Sequence, residues 1–404
     1  MTPQTNPAIS PLEMTIFTAT LMSMVAISID ALLPALGFIS SDLLVSDPNR
    51  TQLVISALFL GMALGQLICG PYSDALGRKP VLYAGLLMYL AGTLLCYFAG
   101  DLNTLLAGRF IQGLGVAGPY ISAVSLVRDQ YKGRDMAKIM SLVMMIFMLV
   151  PAIAPTLGQG LLLISDWRGV FIFYIAYALI ITLWIFLRLP ETLPKDHRIK
   201  LTVPGFLSGF KAVITHKITM SLTICMGLLF GCFISYLNSS QQIFQEQFAV
   251  GKMFSVYFGV LALVMGVSSM VNSQLVQRLG MQFLSQSAFM AIVLASVIFL
   301  IIQLLMDINL WIFLTYIACV FFSFGLIFGN VNAMAMEPMG DNAGIASAVI
   351  GSVSSIMSII IGTTIGQLYD GTVMPITLGF VFIGTIATGI LIYVGKINKQ
   401  TEQV

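Results

Sequence analysis

Charge is what this chain has least of. Only 9% of its 404 residues are Asp, Glu, Lys or Arg, against roughly 25% in soluble domains. So little charge excludes a water-solvated globule, because the 58% of apolar residues must be shielded some other way. Histidine is nearly absent: His197 and His216 both fall outside the apolar runs, which excludes His-based proton relays within them. The five cysteines, Cys69, Cys96, Cys225, Cys232 and Cys319, all lie inside apolar runs. No pair has metal-site spacing and nothing suggests a disulfide framework, so they read as small packing residues. HExxH, GxSxG and paired-acid motifs are missing, as is a P-loop. A membrane enzyme would have nothing to work with, and ATP-driven transport would need a partner. The net charge is only +2, so no polybasic arm invites nucleic acid. No metal or cofactor is expected.

What is present is apolar sequence in about twelve runs of roughly 20–28 residues, the length a helix needs to cross a ~30 Å hydrocarbon core. The runs fall near 14–37, 51–73, 80–99, 102–127, 137–162, 167–188, 217–240, 254–277, 281–305, 309–336, 342–369 and 374–395. Transmembrane β-strands would be near ten residues long and alternating, and these are not. The expected fold class is an all-α polytopic membrane protein. The first run has no basic segment before it and no small-residue cleavage site after it, and is expected to be retained.

Lys and Arg set the orientation. With both termini in the cytoplasm, fifteen basic residues face that side and three, Arg50, Arg168 and Lys252, face the other. This is a strong positive-inside bias, consistent with a bacterial inner membrane. Arg109 is left over, within the fourth run.

Asp30 lies in the first run, TIFTATLMSMVAISIDALLPALGFI, about sixteen residues from its start. At ~1.5 Å per residue that is more than halfway across the core. An ionised carboxylate there costs at least ~2.5–3.5 kcal/mol. It needs a partner, a wet cavity or a proton, and Asp30 reads as a proton or cation site in a transporter. A structural role facing neighbouring helices is the plainer alternative.

The longest polar stretch, about 189–216, separates two six-span halves. The expected organisation is an N-terminal half at 1–190, a cytoplasmic linker at 191–216 and a C-terminal half at 217–404. Part of the linker, near 203–213, is expected to form an amphipathic interfacial helix. PTLGQ at 155–159 is echoed by TTIGQ at 363–367, and SDALG at 73–77 by VQRLG at 276–280. Both offsets are close to 205 residues, which argues for an internal duplication, a common basis of alternating-access carriers.

Between the second and third runs lies GPYSDALGRKP, with Gly70, Asp74, Gly77, Arg78 and Lys79. The glycines suit a tight turn, and the acid beside basic residues can form an ion-paired latch. Here the chain resembles the major facilitator superfamily. The resemblance implies two pseudo-symmetric six-helix bundles, with Asp74 and Arg78 in a charge relay with Asp129, at the end of the fourth span. AGRFIQGLGVAG at 107–118 is similar to the superfamily's span-four signature. An arginine's approach favours an ionised carboxylate and an apolar setting favours the protonated one, so Arg109 near an acid can tune proton affinity. The fifth run carries Pro151, Pro155 and Gly158 in LVPAIAPTLGQG, and prolines there kink a helix. It resembles the signature of drug/proton antiporters, with Ala154 and Gln159 departing from the commonest form. Asp30 followed by LLPAL at 32–36, Arg128-Asp129, APTLG at 154–158, Trp167-Arg168 with Phe171, Glu191-Thr192-Leu193 and GIASAVIG at 344–351 narrow the resemblance to Bcr/CflA-type exporters.

That resemblance implies Asp30 as proton carrier with Arg109 as its tuning partner, and spans one, four, seven and ten lining a cavity. Substrate-binding candidates on those spans are Tyr120, Tyr236, Asn238, Asn330 and Asn332. The polar run from Tyr236 to Gln242 is expected to open span seven toward an outer vestibule. The implied activity is proton-coupled export of small amphipathic compounds by a monomer in a lipid bilayer. The alternatives are export of an endogenous metabolite or siderophore, or import by the same fold.

Overall fold

The computed structural model describes residues 10–131, 133–198 and 210–401. Twelve helices among them are long and apolar enough to cross a membrane. In order they are spans 1 to 6, Pro11–Asp42, Pro48–Leu76, Arg78–Tyr97, Leu102–Gln130, Lys138–Ile164 and Arg168–Arg188, and spans 7 to 12, Lys217–Gln247, Gly251–Leu279, Met281–Leu305, Leu310–Met339, Ala346–Gln367 and Met374–Ile397. No strand occurs among the described residues. Helices satisfy their own backbone groups, which hydrocarbon requires. Polar residues start several of them. Ser10 accepts from Glu13 N at 3.2 Å before Pro11, Asp101 from Thr104 N at 3.0 Å, and Asn309 from Ile312 N at 3.0 Å. Each supplies an acceptor to a helical amide that has no intrahelical partner.

Three local departures from the sequence reading matter. Span 1 is broken: one helix ends at Asp30, Leu33–Ala35 form a 3-10 turn, and a second helix runs Leu36–Asp42. Pro34 explains the break, since it has no N–H for the Asp30 carbonyl four residues earlier. Span 2 stays helical to Leu76 with Pro71 inside it, so Gly70 and Asp74 are helical and Gly77 alone makes the connection to span 3. Span 7 does not loosen at its polar end. It stays helical to Gln241 and continues as a π-turn over Gln242–Gln247, and residues 235–242 are buried. The interfacial helix expected near 203–213 falls mostly on residues 203–209, outside the described set.

Contacts divide the chain into two compact units, Met1–Ala35 with Ala57–Thr202, and Leu36–Ser56 with Val203–Val404. In the first unit, spans 3 and 4 pack backbone to backbone. A Cβ on Gly115 would strike the backbone of Tyr89 and Gly85, so only glycine permits this approach. In the second unit the polar end of span 7 is held by amides. Asn238 Nδ2 donates to Ser56 Oγ at 3.1 Å and to the Gly362 carbonyl at 3.3 Å. Gln242 Nε2 donates to Asn49 Oδ1 at 2.9 Å. Asn49 in turn donates to the carbonyls of Tyr369 and Gln367, at 2.7 and 3.3 Å.

Candidate functional site

Asp30 is the last residue of the first helix of span 1 and is 5% exposed. Among the described residues, no hydrogen bond or ion pair joins its carboxylate to a partner, Arg109 included. Arg109, in span 4, is fully buried rather than snorkelling to a surface. Its Nη2 donates to the Ser28 carbonyl at 2.9 Å, two residues before Asp30. Its Nη1 donates to Gln112 Oε1, and Gln112 Nε2 donates to Thr93 Oγ1 at 2.9 Å.

The same Ser28 carbonyl accepts from Tyr174 of span 6 at 3.3 Å, and that hydroxyl also reaches the Ile27 carbonyl at 3.1 Å. Ser28 Oγ lies 2.7 Å from the hydroxyl of Tyr89 in span 3. Spans 3, 4 and 6 therefore converge on the last turn before Asp30. A guanidinium and a phenol hydroxyl both donate to the Ser28 carbonyl, whose helical donor, the Leu32 amide, bonds the Ile29 carbonyl instead as the helix ends. Spacing in span 6 puts Phe171, Tyr174, Ala178, Ile181 and Ile185 on one buried face, which is why Tyr174 points inward. Tyr174 and Tyr89 are absent from the sequence candidates. Their only signal was a hydroxyl on the inward face of a span.

Span 5 closes on the break from another side. Its helix runs through Pro151 and Pro155 without ending. At Gly158 the helix backbone lies against Ala31, so close that a Cβ would fall on the Ala31 carbonyl oxygen. The glycine of the span-five signature and the residue after Asp30 are thus in direct backbone contact.

The motif between spans 2 and 3 assembles as an ion-paired knot. Arg78 Nη1 reaches Asp74 Oδ1 at 2.6 Å, and its Nε and Nη2 donate to the two Asp129 oxygens at 2.8 and 3.2 Å. The Arg78 side chain is 4% exposed, so this fork of charge-assisted bonds forms away from water. Glu191, after span 6, is an addition that sequence reading assigned no place here. It accepts from the amides of Arg78 at 2.9 Å and Lys79 at 3.2 Å, a carboxylate at a helix N-terminus where the dipole favours it. Thr192 Oγ1 donates to Asp129 Oδ2 at 3.0 Å. Gly77 has φ of 109°, a left-handed value that disfavours any side chain. Lys79 itself lies over the Tyr83 ring, 5.9 Å from its centroid.

The substrate-binding candidates are distributed differently. Tyr236 is fully buried, stacked on Phe258 at 6.0 Å and edge-on to Phe321 at 4.9 Å. Asn238 is occupied by Ser56 and Gly362, as above. Asn330 exchanges hydrogen bonds with Asn272 at 2.8 and 3.1 Å and donates to the Leu326 carbonyl at 2.8 Å. Asn332 is exposed and Tyr120 half-buried. Three of the five side chains are thus engaged by the protein itself. Among the described residues no group of His, Cys, Asp and Glu is arranged to hold a metal ion.

Twelve long apolar helices make this a multi-pass membrane protein, and its family and relatives are transporters rather than enzymes. Residues 16–362 match the Major Facilitator Superfamily, and the chain belongs to that family, whose members bind small-molecule substrates. It is 28% identical over 395 residues to the uncharacterized MFS-type transporter YdgK of Bacillus subtilis, covering 95% of this chain and 96% of that one. It is 27% identical to a bicyclomycin resistance protein homolog of Haemophilus influenzae, over 86% of this chain and 87% of that one. The multidrug resistance protein MdtL of Citrobacter koseri is 29% identical over 80% of each chain. Among solved structures, the peptide transporter POT in complex with sulfate superposes with a TM-score of 0.76 at 15% identity, over 98% of this chain and 96% of that one. The xylose transporter XylE from E. coli, in a partially occluded inward-open conformation, superposes with a TM-score of 0.74 at 10% identity, over 96% and 97%. At these identities the two structures speak for the fold alone.

Proposed function

We propose that the protein is a proton-coupled antiporter that exports small amphipathic compounds by alternating access, working as a monomer. Its place would be a bacterial inner membrane, with both termini in the cytoplasm. The observation that carries this reading is Asp30: a buried carboxylate with no hydrogen-bond or ion-pair partner among the described residues, at the break in span 1. A carboxylate so placed is far easier to keep neutral than charged, so it takes and gives a proton as its surroundings change. Arg109 bonds the backbone two residues away. A small shift of span 1 relative to span 4 therefore changes the distance between cation and acid, and with it the acid's proton affinity. Substrate would compete with the proton for the state that favours it. The resistance proteins among the relatives support an amphipathic drug as cargo. The knot of Asp74, Arg78, Asp129 and Glu191 would act as a cytoplasmic latch.

The test uses an efflux-deficient bacterium carrying the protein or its Asp30→Asn variant at equal membrane levels. Accumulation of a panel of amphipathic drugs is measured with and without a protonophore. The expected result is lowered accumulation with the parent protein, abolished by the protonophore and absent in Asp30→Asn. Export by Asp30→Asn equal to the parent's would overturn the role of Asp30. A panel on which nothing moves would overturn the drug cargo.

A further inference from the structure

The first helix of span 1, Pro11–Asp30, runs unbroken for 20 residues with no proline past its first position, so it moves as a rod. Side chains of span 6 bond it from end to end. Tyr174 donates to the Ile27 and Ser28 carbonyls at 3.1 and 3.3 Å, and Tyr177 to the Thr20 carbonyl at 2.9 Å. Trp184 Nε1 donates to Glu13 Oε1 at 3.4 Å, and its ring meets Phe17 edge-on, centroids 5.2 Å apart. Arg188 closes the row with a fork, Nε on Glu13 Oε1 at 2.9 Å and Nη2 on Oε2 at 2.8 Å.

Tyr174, Tyr177, Trp184 and Arg188 follow one another at helical spacing and form one stripe. Their partners descend span 1 as span 6 ascends, from Ser28 through Thr20 and Phe17 to Glu13, so a single register covers the row. Each of these bonds is given by span 6 and taken by span 1. A slip of the rod by one residue, ~1.5 Å, would strain every bond in the row at once.

The two ends of the row differ. One is the Ser28 carbonyl, shared with Arg109 and two residues before Asp30. The other, ~25 Å of helix away from Asp30, is the fork on Glu13, where the Arg188 side chain is 55% exposed. The titratable side chains gathered at the Asp30 turn are Arg109 of span 4, Tyr174 of span 6, and Tyr89 and Cys96 of span 3, while span 5 brings the Gly158 backbone. Among them Arg109 is the permanent charge. The row sets the height of the carbonyl that Arg109 bonds, and therefore the distance between that charge and Asp30.

We propose that Glu13 and Arg188 are a positioning pair for proton exchange at Asp30: their fork fixes the height of the inner helix of span 1, and with it the hold of Arg109 beside the acid. The inference rests on the reading of Asp30 as the proton site. It adds a remote ion pair that acts through the helix, not through space.

Infrared titration of the purified protein in detergent follows the carboxylic C=O band that Asp30→Asn removes, and needs no cargo. An ion pair reached by water is worth up to roughly fivefold in an equilibrium, so Glu13→Gln and Arg188→Gln are each expected to shift the midpoint of that band by up to about 0.7 pH unit. Both shifts should have the same sign, because either variant frees the same rod. The exchanged pair, Glu13→Arg with Arg188→Glu, should move the midpoint back toward the parent's. Tyr177→Phe, which changes no charge, should shift it in the same direction as the single variants, and decides the matter alone if the charge variants do not fold. An unmoved midpoint in Glu13→Gln with a lowered melting temperature would reduce the pair to a fastening and overturn the proposal. Opposite shifts from the two single variants would mark charge acting through space and overturn it as well. A parent protein with no titrating band assignable to Asp30 would instead overturn the reading of Asp30 itself.

Discussion

Replacing Gly158 by alanine tests whether span 5 holds the break beside Asp30. A Cβ there would fall on the Ala31 carbonyl oxygen, whereas Gly160, two residues on, has nothing within 4 Å of its would-be Cβ. Both positions lie in the same helix, Gly133–Ile164, so Gly→Ala gains the same ~1 kcal/mol of helix propensity at each. The difference between the two variants therefore isolates the clash. Overpacking costs typically about 1–3 kcal/mol, and the upper end is expected because the obstacle is backbone, which has no rotamer to escape into. Relieving it moves the spans apart by roughly an ångström to restore ordinary contact distances. The displaced segment is the turn that carries Asp30. Gly158→Ala should therefore unfold more easily than Gly160→Ala in detergent and lose coupled export, while Gly160→Ala matches the parent or exceeds it in stability. Equal stability and equal export for the two variants would refute the claim that this contact positions the break.

Other substitutions probe the remaining contacts. Tyr174→Phe deletes the hydroxyl that donates to the Ile27 and Ser28 carbonyls, at a cost of about 1 kcal/mol. It should shift the pH profile of export while leaving the protein folded, and an unchanged profile would limit Tyr174 to packing. Arg78→Lys keeps the charge but loses the fork onto Asp129, and lysine cannot replace bidentate geometry. It should destabilise by about 1.5–3 kcal/mol, and a double-mutant cycle with Asp129→Asn should show that loss to be shared rather than additive. Asn49→Ala removes bonds to Tyr369, Gln367 and Gln242. A loss of about 1–3 kcal/mol is expected, read as lowered thermal stability, and an unaffected melting temperature would count against the amide cluster as a fastening.

The twelve spans were legible because hydrocarbon imposes one rule, long apolar runs, and leaves the chain little freedom to hide it. The latch was half legible. Asp74, Gly77 and Arg78 stand at local spacings, and the family resemblance supplied Asp129, but Glu191 joins from a segment 113 residues away from Arg78, and nothing local marks it. The polar end of span 7 was misread for a physical reason. Composition distinguishes polar from apolar, not water from another helix, and the amides of Asn238 and Gln242 found partners in Ser56 and Asn49 instead of solvent.

The site around Asp30 shows the deeper limit. Asp30 and Arg109 stand out in the sequence because a charge in hydrocarbon is costly, and two costly charges of opposite sign invite pairing. The structure joins them differently, through the Ser28 carbonyl. Carbonyls carry no residue-type signature, so no scan for side-chain partners finds this one. The available clue was Pro34. It denies the Asp30 carbonyl its helical donor and sits among residues where span 1 changes from one helix to another. A proline four residues after an intramembrane acid thus marks where the helix ends. With it ended, the Leu32 amide turns to the Ile29 carbonyl, and the Ser28 carbonyl is left to the buried donors Arg109 and Tyr174 on neighbouring spans.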